Sequence, residues 1–392
     1  MHLLYTLTSY LPAIGGAQIH QHLLAQQLQI NHSIQVATFW EQNRTDWLLG
    51  TTLKAHTNPH EYKVDGITLH RMGFRWFDKL QMAVWLPLYY PLMAVAVPPI
   101  ARIIAQPLHI LAQNCDLIHN VRIGREGLTY ASLQVARQRN IPFVLTPVHH
   151  PRWVGWRYEL YLQLYRDADA VIALTQTEKQ TLISLGVKPE QIHVTGIGPV
   201  LSPQAAGQEF RDRHQLLGPI VLFLGQHYPY KGYQQLLQAT KQVWEKHPET
   251  HFVFIGPSVK KSEQVFQAYP DDRIHRLGTV SLQEKTDALA ACDILCVPSM
   301  QESFGGVFTE AWCFQKPVIG GNIPAVAEVI SDGKDGLLVE QKPETIATAI
   351  IELLSNPQKA SEMGEAGYQK VHQHYTWPKL AEKTLNVYQS II

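Results

Sequence analysis

The sequence predicts an α/β protein of two domains, each built on a largely parallel sheet. Three observations carry this: short apolar runs alternate with segments whose apolar residues recur at helical spacing, the pattern restarts after about residue 218, and 392 residues suffice for two separate cores. Residues 3–6 form the first apolar run, followed by a loop ending in Gly15-Gly16 and a helical segment marked by Ile19, Leu23, Leu24 and Leu28; residues 34–38 make the next strand. A glycine pair opening a helix after a first strand is a candidate phosphate-approach loop, although most such pairs are turns. The strand at residues 116–119 ends in His119, and the strand at 143–146 leads to His149, His150 and Pro151. These histidines fall beyond the carboxyl ends of strands, where ligands of parallel α/β sheets gather, but a lone histidine there is ordinarily structural.

Further along, Asp167-Ala168-Asp169 joins an aromatic helix to the strand at 170–174 and reads as ordinary turn formers rather than a metal site. No metal is assigned, because no histidines pair with cysteines or carboxylates at zinc spacing. A short strand at 192–194 ends in Gly196, Gly198 and Pro199, and the polar stretch to about residue 218 reads as an interdomain linker. The second domain restarts with a strand at 220–224, whose loop carries Gln226, His227 and Lys231 before the next helix. A lysine in such a loop suits a phosphate as a point charge, or is simply a surface residue. A strand at 252–256 and the segment Arg276-Leu277-Gly278-Thr279-Val280 follow.

Residues 297–329 are the organising stretch. The buried strand at 294–297 is stopped by Pro298 and Ser299, Gly305 and Gly306 open a helix carrying Val307, Ala311 and Phe314, and Pro317 precedes the strand Val318-Ile319. This is one βαβ unit. Glu302 lies in its loop and Glu310 about one turn into its helix. A glycine-flanked helix start offers N–H groups and a dipole to a phosphate, and a carboxylate one turn further in can accept two hydrogen bonds, as a ribose diol requires. For isolated glutamates, the simpler reading is a dipole partner and a solvated helix residue.

Composition narrows the partners. Lys plus Arg equals Asp plus Glu at 33 each, so no strong field gathers nucleic acid. Cys115, Cys292, Cys296 and Cys313 form no CxxC pair and sit in or beside apolar segments, as in a reducing cytoplasm. The opening run lacks the basic start of a signal peptide and reads as a strand. Residues 82–101 carry no charge, but Pro87, Pro91, Pro98 and Pro99 are expected to break a spanning helix there.

The string from Glu302 to Glu310, with Lys316-Pro317-Val318-Ile319 and the segment from Gly321 to Val329, resembles the donor-site signature of glycosyltransferase family 4. The resemblance extends from about Leu3 to the last helix. It implies the GT-B fold, two Rossmann-like α/β domains with parallel sheets facing across a cleft. Residues 1–199 would be the acceptor-side domain, with 376–392 crossing back onto it, and residues 200–375 the donor-binding domain. It also implies a retaining hexosyltransferase using a nucleoside-diphosphate sugar and no metal. Lys231, Glu302 and either His149 or His150 would be catalytic. Gly15, Gly16, Gln226, Leu277, Gly278, Phe304, Gly305, Gly306, Val307 and Glu310 would bind the donor. The segment around Leu277 and Gly278 would pair its backbone with the nucleobase.

One departure stands out. The family usually has arginine where this chain has Gln226, so His227 or another cation must compensate or turnover falls. The acceptor is expected to be a glycan or lipid-linked glycan of cell-surface polysaccharide assembly. Trp85, Tyr89 and Tyr90, together with Trp153, Trp156, Tyr158, Tyr161 and Tyr165 among Arg152, Arg157 and Arg166, suit peripheral contact with the inner face of the cytoplasmic membrane, or an ordinary core. A GT-B sugar-nucleotide epimerase, a transferase with a small soluble acceptor and a catalytically weak binding protein are the alternatives.

Overall fold

The structure, a computed structural model, describes residues 1–13, 15–42, 46–121, 126–149, 158–259 and 261–392. The chain divides into two units, one formed by Met1–Gly196 together with Trp377–Ile392 and the other by Ile197–Thr376. In the first, β1 (His2–Thr6), β2 (Ser33–Thr38), β3 (His60–Val64), β4 (Ile67–Arg71), β5 (Leu117–Val121), β6 (Phe143–Thr146), β7 (Ala170–Ala173) and β8 (Ile192–Val194) form one sheet in the order β3-β4-β2-β1-β5-β6-β7-β8. Every neighbouring pair is parallel except β3 and β4. That edge hairpin turns at Asp65-Gly66, both with positive φ (49° and 83°), as a two-residue hairpin loop requires. The central strands are apolar because helices cover a parallel sheet on both faces; Leu3, Leu4 and Tyr5 are fully buried.

His119 lies in the middle of β5 rather than at its end, and it is structural. Its Nδ1 meets the Tyr388 hydroxyl at 2.7 Å and its Nε2 the Thr146 hydroxyl at 2.8 Å, while Tyr388 also lies 3.2 Å from the Tyr5 hydroxyl. Burial pushes the imidazole down to about 3, so it is neutral at physiological pH. Tyr388 belongs to the helix Trp377–Gln389, which this network ties to the sheet from the far end of the chain.

The uncharged stretch contains a helix after all. Met93–Leu111 runs unbroken through Pro98, Pro99 and Pro107. Its neighbours supply the stability that prolines remove: Met93, Val97, Ile100, Ile104 and Leu108 are buried in a core shared with the helix Glu126–Arg139. Among the described residues it is the one helix long and apolar enough to cross a membrane, and that buried face makes it a core helix.

In the second unit, β9 (Ile220–Leu224), β10 (His251–Ile255), β11 (Ile274–Gly278), β12 (Ile294–Val297), β13 (Val318–Gly321) and β14 (Gly336–Val339) are all parallel, in the order β11-β10-β9-β12-β13-β14. The polar stretch expected to be a linker is part of this unit. It holds the helix Gly207–Arg213, whose Phe210 is buried and whose Arg211 binds the carbonyls of Gly218 and Ala291 and the Asp293 carboxylate. Composition misled because one buried phenylalanine and one multiply bonded arginine dock a segment that otherwise reads as polar.

Tyr388→Phe removes one hydroxyl that serves two buried partners. It is expected to destabilise the protein by about 1–3 kcal/mol in urea unfolding, with the fold retained.

Candidate functional site

Strand order places the site. In the second unit the chain begins at β9, builds β10 and β11 to one side, then crosses to lay β12 on the other side. The loops leaving β9 and β12 therefore diverge from adjacent strands, and ligands of open α/β sheets settle at such a reversal. Lys231 comes from the β9 loop and Glu302 from the β12 loop, and their side chains form an ion pair. The pair is mostly shielded from water, and the Tyr228 and Tyr230 rings stack beside it with centroids 5.3 Å apart.

The two loops are held together by Gln341, just after β14. Its amide donates to the carbonyls of Tyr230 (2.9 Å) and Pro298 (2.7 Å). The Met300 N–H adds a bond of 2.8 Å to the same Tyr230 carbonyl. Gly232 permits this approach: its φ is +84°, and a Cβ there would lie 2.6 Å from the Pro298 carbonyl oxygen.

Beyond Glu302, Gly305 sits in the left-handed region (φ 84°, ψ 52°) and starts the helix Gly306–Trp312, where a side chain would strike the Phe308 ring. The first N–H groups of that helix, including those of Gly306 and Val307, have no intrahelical acceptor. Phe304 is a core residue, 2% exposed and edge-on to Tyr375, so only its backbone can serve a ligand. Glu310 is 6% exposed. Its Oε1 accepts from the Lys285 ammonium at 2.8 Å and lies 3.4 Å from the Val200 N–H, whereas Oε2 has no hydrogen-bond partner among the described residues. Burial pushes this carboxyl up and Lys285 opposes it. One oxygen, not two, is therefore free for a ligand.

Leu277 and Gly278 end β11, the edge strand. The ladder to β10 shifts there, pairing Arg276 with Phe254 and Gly278 with Ile255, so Leu277 has no opposite residue. A bulge at a sheet edge releases backbone groups in this way. Gly278 itself is engaged, since its carbonyl accepts from the Gly256 N–H at 2.7 Å.

Gln226 is exposed, and its neighbour cannot replace the missing cation. His227 is completely buried among Phe223, Tyr233 and Phe266. Burial first, and the Arg276 charge second, push it down to about 4, which leaves it neutral. Arg276 is itself bound to Glu263 and Ser258.

In the first unit the strand order reverses between β1 and β5, and Gly15 and Gly16 follow β1. Gly15 caps the helix Gly16–Leu28 in extended conformation, and a Cβ on Gly16 would meet open space, so neither glycine is dictated by packing beyond the Gln18 side chain. His149 follows β6. Its N–H donates to Glu178 Oε1 at 2.8 Å, and its Nδ1 is 3.1 Å from the Tyr165 hydroxyl. Val148 before it has φ 49°, a costly value for a β-branched residue and one found at functional turns. His150 lies outside the described residues, as do Arg152, Trp153, Trp156 and Arg157.

Sequence reasoning missed Gln341, Lys285 and Glu178. Gln341 acts across 111 and 43 residues, and its type carries no local signal. Glu178 was detectable as the carboxylate following the Thr175 helix cap, but its bonds to the N–H groups of Leu174 and His149 were not.

Residues 15–198 match the family described as "Glycosyl transferase 4-like domain" and residues 208–370 the one described as "Glycosyl transferases group 1". An MMP alpha-(1->4)-mannosyltransferase of Mycolicibacterium hassiacum is 25% identical over 71% of this chain and 71% of its own length. A D-inositol 3-phosphate glycosyltransferase of Corynebacterium glutamicum is 28% identical over 59% of each. Among solved structures, Alr3699/HepE of Anabaena in complex with UDP and glucose superposes with a TM-score of 0.75 at 18% identity, covering all of both chains. The sucrose-phosphate synthase of Thermosynechococcus elongatus gives 0.75 at 19%, over 100% of this chain and 99% of its own. Two parallel α/β units of this kind define the GT-B class of glycosyltransferases. The chain belongs to the family 4 type of these enzymes.

Gln341→Ala leaves two facing carbonyls without their shared donor. Hydrogen exchange is expected to quicken in peptides covering 226–233 and 297–304, with the Met300 N–H most affected and strands β9 and β12 unchanged.

Proposed function

We propose that this glycosyltransferase moves a hexosyl group, with retention, from a nucleoside-diphosphate sugar to a glycan or lipid-linked glycan. The observation that carries the reading is the Lys231–Glu302 pair at the strand-order reversal, beside a helix start with free N–H groups. As the bond from sugar to phosphate breaks, negative charge grows on the diphosphate, and a preorganised cation with N–H donors lowers that barrier. Lys231 and the N–H groups at Gly305, Gly306 and Val307 take this part, and no metal is invoked. Glu302 holds donor-sugar hydroxyls and keeps Lys231 in place until the diphosphate arrives. Glu310 accepts from the ribose, and the bulge at Leu277, beside Gly278, offers backbone to the base. Within the first unit, Gly15 and Gly16 offer a phosphate-approach loop and His149 or His150 a sugar contact. Retention without a covalent nucleophile implies departure and attack on the same face. With Gln226 in place of arginine, more of the leaving-group charge falls on Lys231.

Incubation with labelled UDP-, GDP- and ADP-sugars, with and without glycan acceptors, tests this. Free nucleoside diphosphate formed together with glycosylated acceptor is the expected result; interconversion of the sugar nucleotide without transfer would point to an epimerase instead. Lys231→Ala is expected to lower kcat at least a hundredfold, about 3 kcal/mol, and to change nucleotide affinity far less, because the charge it meets develops in the transition state.

The membrane reading also belongs here. Tyr89, Tyr161 and Tyr165 are buried, and Trp85 is partly buried against the core, so these four are largely taken up by packing. Support comes instead from a neighbouring set: Trp76, Phe77, Leu80, Val84, Tyr90, Leu92 and Val95 are all at least half exposed, and Arg75 caps the helix Trp76–Ala83 that carries the first three. Such a cluster exceeds the scattered apolar residues of an ordinary surface and suits the headgroup level at the inner face of the cytoplasmic membrane. Sedimentation with anionic liposomes is expected to carry the protein down at low salt, and Trp76→Ser with Phe77→Ser to leave it in the supernatant.

A further inference from the structure

We infer that Lys285 is a positioning residue for nucleotide recognition: it fixes Glu310 through one oxygen so that the other is left to accept from the ribose. The inference rests on the assignment of Glu310 to the ribose made above. Lys285 stands in the helix Leu282–Ala291, 25 residues before Glu310. Its ammonium donates at 2.8 Å both to Glu310 Oε1 and to the Val200 carbonyl, while the Val200 N–H faces that same Oε1. Two donors, one on a helix and one in the loop after β8, therefore converge on Oε1 and hold it in place. Oε2 is shielded from water and has no hydrogen-bond partner among the described residues, a costly state that a ligand hydroxyl reaching it would relieve.

The chemistry of that ligand follows from the atom. An ionised carboxylate oxygen only accepts, so it repels phosphate and recognises hydroxyls, and one oxygen can take a bond from each member of a vicinal diol. Without a cation, a carboxylate buried to this degree would hold a proton or turn toward another donor. Burial raises the Glu310 carboxyl, and Lys285 is the largest influence in the opposite direction. Lysine, not glutamine, is needed, because the task is to keep the charge as well as the orientation.

The test is calorimetry with whichever of UDP, GDP and ADP the wild type binds most tightly, set against its 2′,3′-dideoxy counterpart. Lys285→Met should weaken the ribonucleotide about tenfold or more and leave the dideoxy ligand nearly unchanged, as Glu310→Ala should, while Lys285→Arg recovers most of the loss. If Glu310→Ala distinguishes the two ligands and Lys285→Met does not, the role of Lys285 is overturned and the ribose assignment stands. If neither variant distinguishes them, both fall. An equal loss for both ligands in Lys285→Met marks a purely structural lysine and also overturns the inference. Should Lys285→Met fail to fold, Lys285→Gln, which keeps a donor without the charge, is read by the same criteria.

Discussion

A parallel sheet that grows first to one side of its opening strand and then to the other must leave two adjacent strands whose following loops part company. Everything proposed for the second unit hangs on that reversal between β9 and β12. Because the two strands are adjacent, the loops bring Lys231 and Glu302, 71 residues apart, together before they part, and start close enough that Gly232 is needed against Pro298. The reversal also creates the gap that Gln341 spans from the neighbouring edge. The charged pair is thus a consequence of topology before it is a feature of chemistry. The first unit repeats the geometry between β1 and β5, with glycines where the second unit has charges.

Much of this was legible in the chain. Buried strands of a parallel sheet are continuous apolar runs, so 3–6, 34–38, 220–224 and 294–297 could be read directly, and the left-handed glycine at the start of the helix Gly306–Trp312 marked itself. What could not be read depends on distance along the chain. Gln341, Lys285 and Tyr388 have partners that no local pattern announces, and the bulge at Leu277 is a property of pairing between strands. The hairpin of β3 and β4 was missed although Asp65-Gly66 is a standard turn signal, since its strands are partly exposed and lack an apolar run. Proline misled in the opposite direction: a helix buried along one face tolerates three of them because tertiary packing outweighs the lost backbone bonds.

Several of the histidines have an explanation that composition hid. His119 and His227 are buried outright, and His275 is half-buried beside His251, with Nδ1 of His251 2.9 Å from its Nε2. Desolvation lowers all three, to about 3, 4 and 4. These three are flat, polar-edged packing units rather than charges, which is why a histidine-rich chain need not imply a cationic site. The cysteines follow the same logic: burial pushes Cys292 and Cys313 up to about 12, far from any reactive thiolate.

The helix Trp377–Gln389 completes a unit whose other residues were all made nearly two hundred positions earlier. The second unit is continuous in the chain and has every strand it needs once residue 376 exists. The first is not: until Tyr388 emerges, His119 and Tyr5 face an empty groove lined with apolar side chains such as Leu3 and Leu28. During synthesis, the half made first is therefore the half finished last, and its apolar groove stays uncovered while its successor is being made.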